Sequence, residues 1–258
     1  MKNYPALSEK KIWVTGGAGY LGSAIVRELD QNARQVICLD LPGKAAALIA
    51  QHKLQRTTPW DGDLSDTATL PSAVAKLLSE HGAPDGLVHL TYASSSGKTL
   101  EQLGVDDFQA TLDRSLPGTF ALCRAVAEAM RPRGGSIVLF SSMYGVVSPD
   151  PSIYRAPMAP NPIDYGASKA AILQMTRYLA VHYGPARIRF NSITPGPFPN
   201  PAVQHANPAF IEDLTKKVPL HRVGVNTEIV GPALFLLSDS ASYVTGHNLV
   251  VDGGWTIW

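Results

Sequence analysis

The sequence predicts one α/β domain built on a doubly wound parallel sheet. Short apolar, β-branched runs alternate with segments of helical periodicity, the pattern of βαβ units in which each helix crosses back over the sheet. The 258 residues are 45% hydrophobic and 17% charged, enough to bury a substantial core. No internal repeat and no Ser/Gly-rich linker separates two halves, so residues 1–258 read as a single domain.

The strands follow from length and composition. Lys11–Thr15, Gln35–Asp40, Asp85–Leu90, Ser136–Phe140, Ile188–Ile193 and Asn248–Val251 are each short, apolar and β-branched. Helices are predicted over Leu21–Gln31, Leu70–Glu80, Asp106–Met130, Tyr165–Tyr183 and Thr227–Leu237. Two stretches break the alternation. Ser148–Pro162 holds five prolines in fifteen residues, and Pro195–Pro208 is similarly rich in Pro and Asn. Both are expected to be long loops, which are commonly functional when they occur in a packed domain.

Charge and composition exclude several classes. Twenty-two Lys and Arg against 21 Asp and Glu leave +1, without the basic stripe of a nucleic-acid binder. No apolar run approaches the ~18 residues of a membrane span, and Met1–Lys10 is too polar for a signal peptide. Cys38 and Cys123 each sit inside apolar stretches, which argues against a disulfide framework. A soluble cytoplasmic protein is expected, with no nucleic-acid or membrane partner.

Directly after the first strand comes Thr15-Gly16-Gly17-Ala18-Gly19-Tyr20-Leu21-Gly22, and then a helix. Glycines at 16, 19 and 22 allow a tight turn, close approach of a phosphate, and close helix packing. The helix N-terminus then offers free N–H groups to a diphosphate. Asp40 ends the second strand 24 residues after Gly16, where a carboxylate can accept adenosine ribose hydroxyls. That carboxylate would repel a 2′-phosphate, and no Lys or Arg lies in 16–22 or at Leu41. The expected cofactor is therefore NAD, bound in a Rossmann-type fold.

Tyr165 and Lys169 are one helical turn apart, on one face of a predicted helix. Ser141 and Ser142 close the strand before it, at the carboxyl edge where open α/β sheets bind ligands. Alcohol oxidation needs a proton acceptor, and tyrosine's pKa of ~10 is high for that work. A neighbouring ammonium lowers it. Ser142, Tyr165 and Lys169 thus form a candidate hydride-transfer site.

Together Thr15–Gly22, Asp40, Asp63-Leu64, Ser142, Tyr165/Lys169, Asn191–Gly196 and Tyr243–Gly246 with Val251–Gly254 resemble the short-chain dehydrogenase/reductase family, over essentially the whole chain. The resemblance implies Tyr165 as acid/base, Lys169 as its partner and ribose anchor, and Ser142 as donor to the substrate oxygen. It implies Asp63 and Leu64 beside the adenine, Leu90 and Thr91 on the cofactor, and Pro195, Gly196 and Phe198 around the nicotinamide. It also implies a substrate lid over 198–218 and a dimer or tetramer through helices 106–130 and 165–183. Trp255–Trp258 are expected at a subunit interface.

Three departures from that family stand out. His89-Leu90-Thr91-Tyr92, like the glycine spacing, is similar to the extended members that act on sugar nucleotides; the shorter members carry Asn-Asn-Ala-Gly there. Ser142 and Tyr165 are 23 residues apart, a wide interval filled by the loop 148–162, which is expected to rim the site with Tyr144, Tyr154 and Arg155. Ser115 stands where the family's catalytic Asn is expected, with Pro117 as the alternative source of a helix kink that frees the Asp113 carbonyl.

The expected activity is interconversion of a secondary alcohol and a ketone on a sugar, sugar acid or polyol, with resemblance to gluconate 5-dehydrogenase-like and nonulosonic-acid-pathway members. Substrate contacts are assigned to Ser142, Tyr144, Tyr154, Tyr165 and His205. A 3-oxoacyl thioester reductase is the alternative, and a non-catalytic dinucleotide-binding protein a third reading. No metal is expected.

Overall fold

In the first strand, β1 (Lys11–Thr15), successive residues enter different cores, as a pleated strand requires. Ile12 and Val14 pack with Ile25, Leu29 and Leu234, whereas Trp13 packs with Leu87, Leu122 and Phe190. Both faces are apolar, so both must be covered by helices.

The computed structural model describes residues 7–64, 66–95, 97–156 and 158–258; most of the polar N-terminal stretch, residues 1–6, lies outside them. Its sheet adds β2 (Gln35–Asp40), β3 (Thr57–Asp61), β4 (Gly86–His89), β5 (Gly135–Phe140), β6 (Ile188–Pro195) and β7 (Asn248–Val251). All seven strands are parallel, in the order β3-β2-β1-β4-β5-β6-β7. The helices α1 (Tyr20–Asn32), α2 (Lys44–His52) and α8 (Val230–Leu237) cover one face. The other carries α3 (Leu70–His81), α4 (Val105–Met130) and α5 (Ile163–Tyr183). This is the doubly wound Rossmann-type arrangement. Its order reverses between β1 and β4, which opens a crevice at the carboxyl ends of those strands.

Two elements were not expected. The strand β3 reads Thr-Thr-Pro-Trp-Asp, with alternate residues exposed and a proline inside it. It lies at the sheet edge, pairing with β2 alone, where a missing N–H is tolerated. The helix α2 is nine residues long, set between left-handed Gly43 and Lys53.

The loop expected over Pro195–Pro208 requires correction. It contains α6 (Pro201–Ala206), and α7 (Pro208–Lys217) follows directly. Both helices begin on proline, which costs nothing in the first turn because that N–H has no partner anyway. Asn200 caps α6 by accepting the Val203 N–H at 3.0 Å. Pro117 likewise does not end α4, which runs unbroken from Val105 to Met130.

Cys38 and Cys123 are buried in opposite cores and unpaired, and burial pushes both thiols up to about 12. Among the described residues no helix is long and apolar enough to cross a membrane.

Candidate active site

A cavity of about 890 Å³ occupies the crevice at the β1/β4 reversal. The glycine turn forms one wall. Gly16 has φ +68°, which a side chain rarely permits, and its N–H donates to the Leu39 carbonyl at 2.8 Å. A Cβ on Gly22 would lie 2.3 Å from the Gly16 carbonyl oxygen, so only glycine lets α1 start this close to the turn. Gly16, Gly19, Tyr20, Leu21 and Gly22 all face the cavity.

Asp40, Leu41, Asp63 and Leu64 line one end. Asp40 accepts the Ala18 N–H at 2.9 Å through one oxygen and its own neighbour's, Leu41, at 2.8 Å through the other. The carboxylate therefore also holds the glycine turn in place. Lys44, the first residue of α2, lines the same end, and the sequence reading passed over it.

Leu90, Thr91, Ser142, Tyr165, Lys169, Pro195, Gly196 and Phe198 line the other end. The Ser142–Tyr165–Lys169 group is thus brought to the same cavity as the glycine turn. Ser142 caps the short turn Met143–Gly145 by accepting the Tyr144 N–H at 3.2 Å. Ser141 ties that turn to α5, donating to the Lys169 carbonyl at 2.7 Å.

Lys169 is buried, and its ammonium donates to the Phe140 carbonyl at 2.8 Å. Desolvation lowers its pKa to about 8, which keeps a substantial charged fraction at neutral pH. Tyr165 behaves differently from expectation. Burial raises its pKa, Tyr92 adds a smaller push in the same direction, and together these outweigh the opposing effect of the Ser142 hydroxyl. Nearby charge has to overcome that desolvation before Tyr165 can work as a base.

His89, noted in the sequence only as part of a departure from the family pattern, organises the floor of the site. It is fully buried, with Nδ1 2.7 Å from Thr15 Oγ1 and Nε2 2.8 Å from Thr119 Oγ1. The Thr119 hydroxyl donates to the Ser115 carbonyl at 2.6 Å, so it accepts from Nε2–H, and Nδ1 accepts from Thr15. Burial, assisted by the Lys169 charge, holds the imidazole neutral with a pKa near 3. Asp164, also buried, accepts both the backbone N–H (3.1 Å) and the hydroxyl (2.7 Å) of Ser95. The residue types gave only one sign of this network, the replacement of the family's Asn by His89.

Five residues expected at or around the site do not line the cavity. The Ser115 hydroxyl accepts the Ala93 N–H at 3.2 Å, a structural contact that ties α4 to the segment after β4. Tyr144 and Tyr154 pair through their hydroxyls at 2.5 Å, and Tyr154 packs on Phe210 of α7. Arg155 pairs with Asp213 at 2.6 Å and Asp150 with Lys217, so the 148–162 loop is fastened to α7. His205 is exposed on α6. Trp255, expected between subunits, is instead buried within its own chain beside Met143 and Val218, and the Trp258 indole donates to the Lys217 carbonyl at 3.0 Å.

Residues 17–256 match a family model described as enoyl-(acyl carrier protein) reductase. An NAD-dependent glycerol dehydrogenase of Listeria innocua is 30% identical over 257 residues, covering 97% of this chain and 95% of that protein. Among solved structures, a short chain dehydrogenase from Leptospira borgpetersenii with bound NAD+ matches at TM-score 0.85 and 32% identity, covering 99% of this chain and 96% of that one. A short-chain dehydrogenase/reductase of Brucella melitensis, named as a glucose/ribitol dehydrogenase, matches at TM-score 0.82 and 26% identity over 97% of this chain and 98% of that one. The crevice at the strand reversal, the glycine turn and these matches place the chain in the short-chain dehydrogenase/reductase family of oxidoreductases.

Proposed function

We propose that this chain is an NAD-dependent oxidoreductase that interconverts a secondary alcohol and a ketone on a sugar, sugar acid or polyol. The observation that carries the reading is that Ser142, Tyr165 and Lys169 line the same cavity as the glycine turn and Asp40. The cradle fits a dinucleotide: a Cβ at Gly22 would invade the turn, and a carboxylate stands where ribose hydroxyls need an acceptor. NAD is supported by Asp40 and by the names of the Listeria and Leptospira relatives.

When bound, NAD would supply the acceptor for the hydride that leaves the alcohol carbon. Ser142 donates a hydrogen bond to the substrate oxygen, and Tyr165 accepts the hydroxyl proton. Lys169 favours the phenolate with its charge and would hold the nicotinamide ribose. A positive nicotinamide, together with the Lys169 ammonium, would offset the desolvation that raises the Tyr165 pKa. Asp40 would accept the adenosine ribose hydroxyls, and Pro195, Gly196 and Phe198 would shape the nicotinamide end. The 148–162 loop and the 198–218 lid enclose the substrate. A hydroxylated substrate is supported by the relatives named for glycerol and for glucose or ribitol.

A thioester reductase is the second reading, favoured by the description of the matching family model. Following NADH formation with a panel of polyols, sugars, sugar acids and 3-hydroxyacyl thioesters separates the two. Turnover confined to the thioesters would overturn the carbohydrate reading.

A dimer or tetramer through α4 and α5 belongs to the same proposal. Phe120, Tyr178 and Val181 are large apolar side chains exposed on those helices. A monomer by light scattering would exclude it.

A further inference from the structure

The Lys169 ammonium is buried with one carbonyl acceptor, and no carboxylate offsets its charge among the described residues. Two aromatic faces stand over it instead. Its nitrogen lies 5.8 Å from the Tyr165 ring centroid and 5.6 Å from that of Tyr92. Both fall within the ~6 Å over which a ring quadrupole attracts a cation. The two rings also meet edge-on, with centroids 5.8 Å apart and planes at 75°.

Tyr92 is the last residue of the His89–Tyr92 run that follows β4, and its ring stands at the cavity wall. Its placement is built from both sides. The Thr91 hydroxyl lies 3.1 Å from His89 Nε2, the Ala93 N–H donates to Ser115, and Ser95 donates twice to Asp164 at the start of α5. Although two thirds exposed, Tyr92 lines the cavity wall, and the residues that flank it are held by His89, Ser115 and Asp164.

We propose that Tyr92 is a positioning residue of the proton-transfer group: its ring, with that of Tyr165, cradles the Lys169 ammonium in place of a carboxylate. The inference rests on the Ser142–Tyr165–Lys169 reading of the site. An aromatic face favours the ammonium over the amine, and the charged form of Lys169 is the one that assists Tyr165. The other groups facing Lys169 are Tyr165 on its own helix, neutral His89 from β4, the Phe140 carbonyl from β5, and Ser142 beyond it; Arg114 of α4 lines the same cavity. None supplies a negative partner at neutral pH.

Nuclear magnetic resonance of carbon-13-labelled lysine, with the Lys169 signal assigned by its loss in Lys169→Met, reads the titration directly and needs no substrate. Tyr92→Phe and Tyr92→Leu both remove the hydroxyl, but only Leu removes the ring while still shielding Lys169. The Phe variant should titrate near the wild type, at about 8. The Leu variant should titrate lower by roughly half a pH unit or more. Tyr92→Trp should match or exceed the wild type, and decides the matter against Phe if the Leu variant does not fold. Equal midpoints for Phe and Leu, or a Trp variant below Phe, would overturn the inference. An alcohol panel without turnover would instead end the functional reading and leave this titration unaffected.

Discussion

The Ser115 hydroxyl accepts the Ala93 N–H at 3.2 Å, which fastens α4 to the loop that carries Tyr92. Ser115 therefore acts on the fold before it acts on chemistry. Replacing it with Ala removes one neutral hydrogen bond, a loss of about 0.5–1.5 kcal/mol in stability. Turnover should fall by no more than roughly tenfold. Thermal unfolding and NADH formation measured on one preparation check both. A loss of several hundredfold without a change in unfolding would return Ser115 to the catalytic group.

His89 gives the protein an acid-sensitive floor. Its folded pKa near 3 lies below the reference 6.5, so the unfolded chain binds the extra proton between those values. Stability from this group is complete above about pH 6.5 and drains away as pH falls toward 3, by up to roughly 4–5 kcal/mol. The variant His89→Asn should lose less stability on acidification than the wild type, although it starts lower at neutral pH. Unfolding temperatures across that range would show it, and parallel curves would contradict the assignment.

Asp40 holds the glycine turn and the adenosine end together, so its replacement should show twice. Asp40→Ser with Leu41→Arg should raise the dissociation constant for NAD and lower that for NADP, with Lys44 adding a second cation at that end. Loss of the Ala18 acceptor should also reduce stability by about 1 kcal/mol. Calorimetric titration with each dinucleotide provides the ratio. A wild type that already prefers NADP would defeat the cofactor assignment.

The loop over 148–162 is fastened to α7 by exposed ion pairs, and such pairs contribute little to stability. Arg155→Ala should therefore leave the unfolding temperature nearly unchanged. If the loop and α7 enclose substrate, KM should rise a fewfold with kcat preserved. A kcat loss with unchanged KM would place Arg155 elsewhere in the cycle.

How much of this was legible beforehand differs by element. Strands such as Lys11–Thr15 and Gln35–Asp40 were readable because both faces are apolar, and Ser142, Tyr165 and Lys169 because strand ends and helix turns place them by rule. Strand β3 was hidden because an edge strand tolerates Pro59 and exposes alternate residues. Helices α6 and α7 were hidden because proline at a helix start resembles proline in a loop. Tyr144, Tyr154 and His205 lie off the cavity wall, which their residue types do not announce. Polar residues in a rim segment can face the cavity or its neighbour, and the packing of Tyr154 on Phe210 is a long-range contact. The His89–Thr119 and Asp164–Ser95 pairs join positions far apart in the chain, so no local pattern announces them.

The central claim is that Tyr165 transfers the alcohol proton in a site whose cofactor cradle is built independently of it. Turnover and NAD binding by Tyr165→Phe, compared with wild type on the same alcohol, test it most directly. The account predicts that kcat falls by about 10²–10⁴-fold, while the NAD dissociation constant changes less than about threefold, within the 0.5–1.5 kcal/mol of one neutral hydrogen bond. A variant that keeps most of its turnover, or one that loses NAD binding in proportion to turnover, would contradict it.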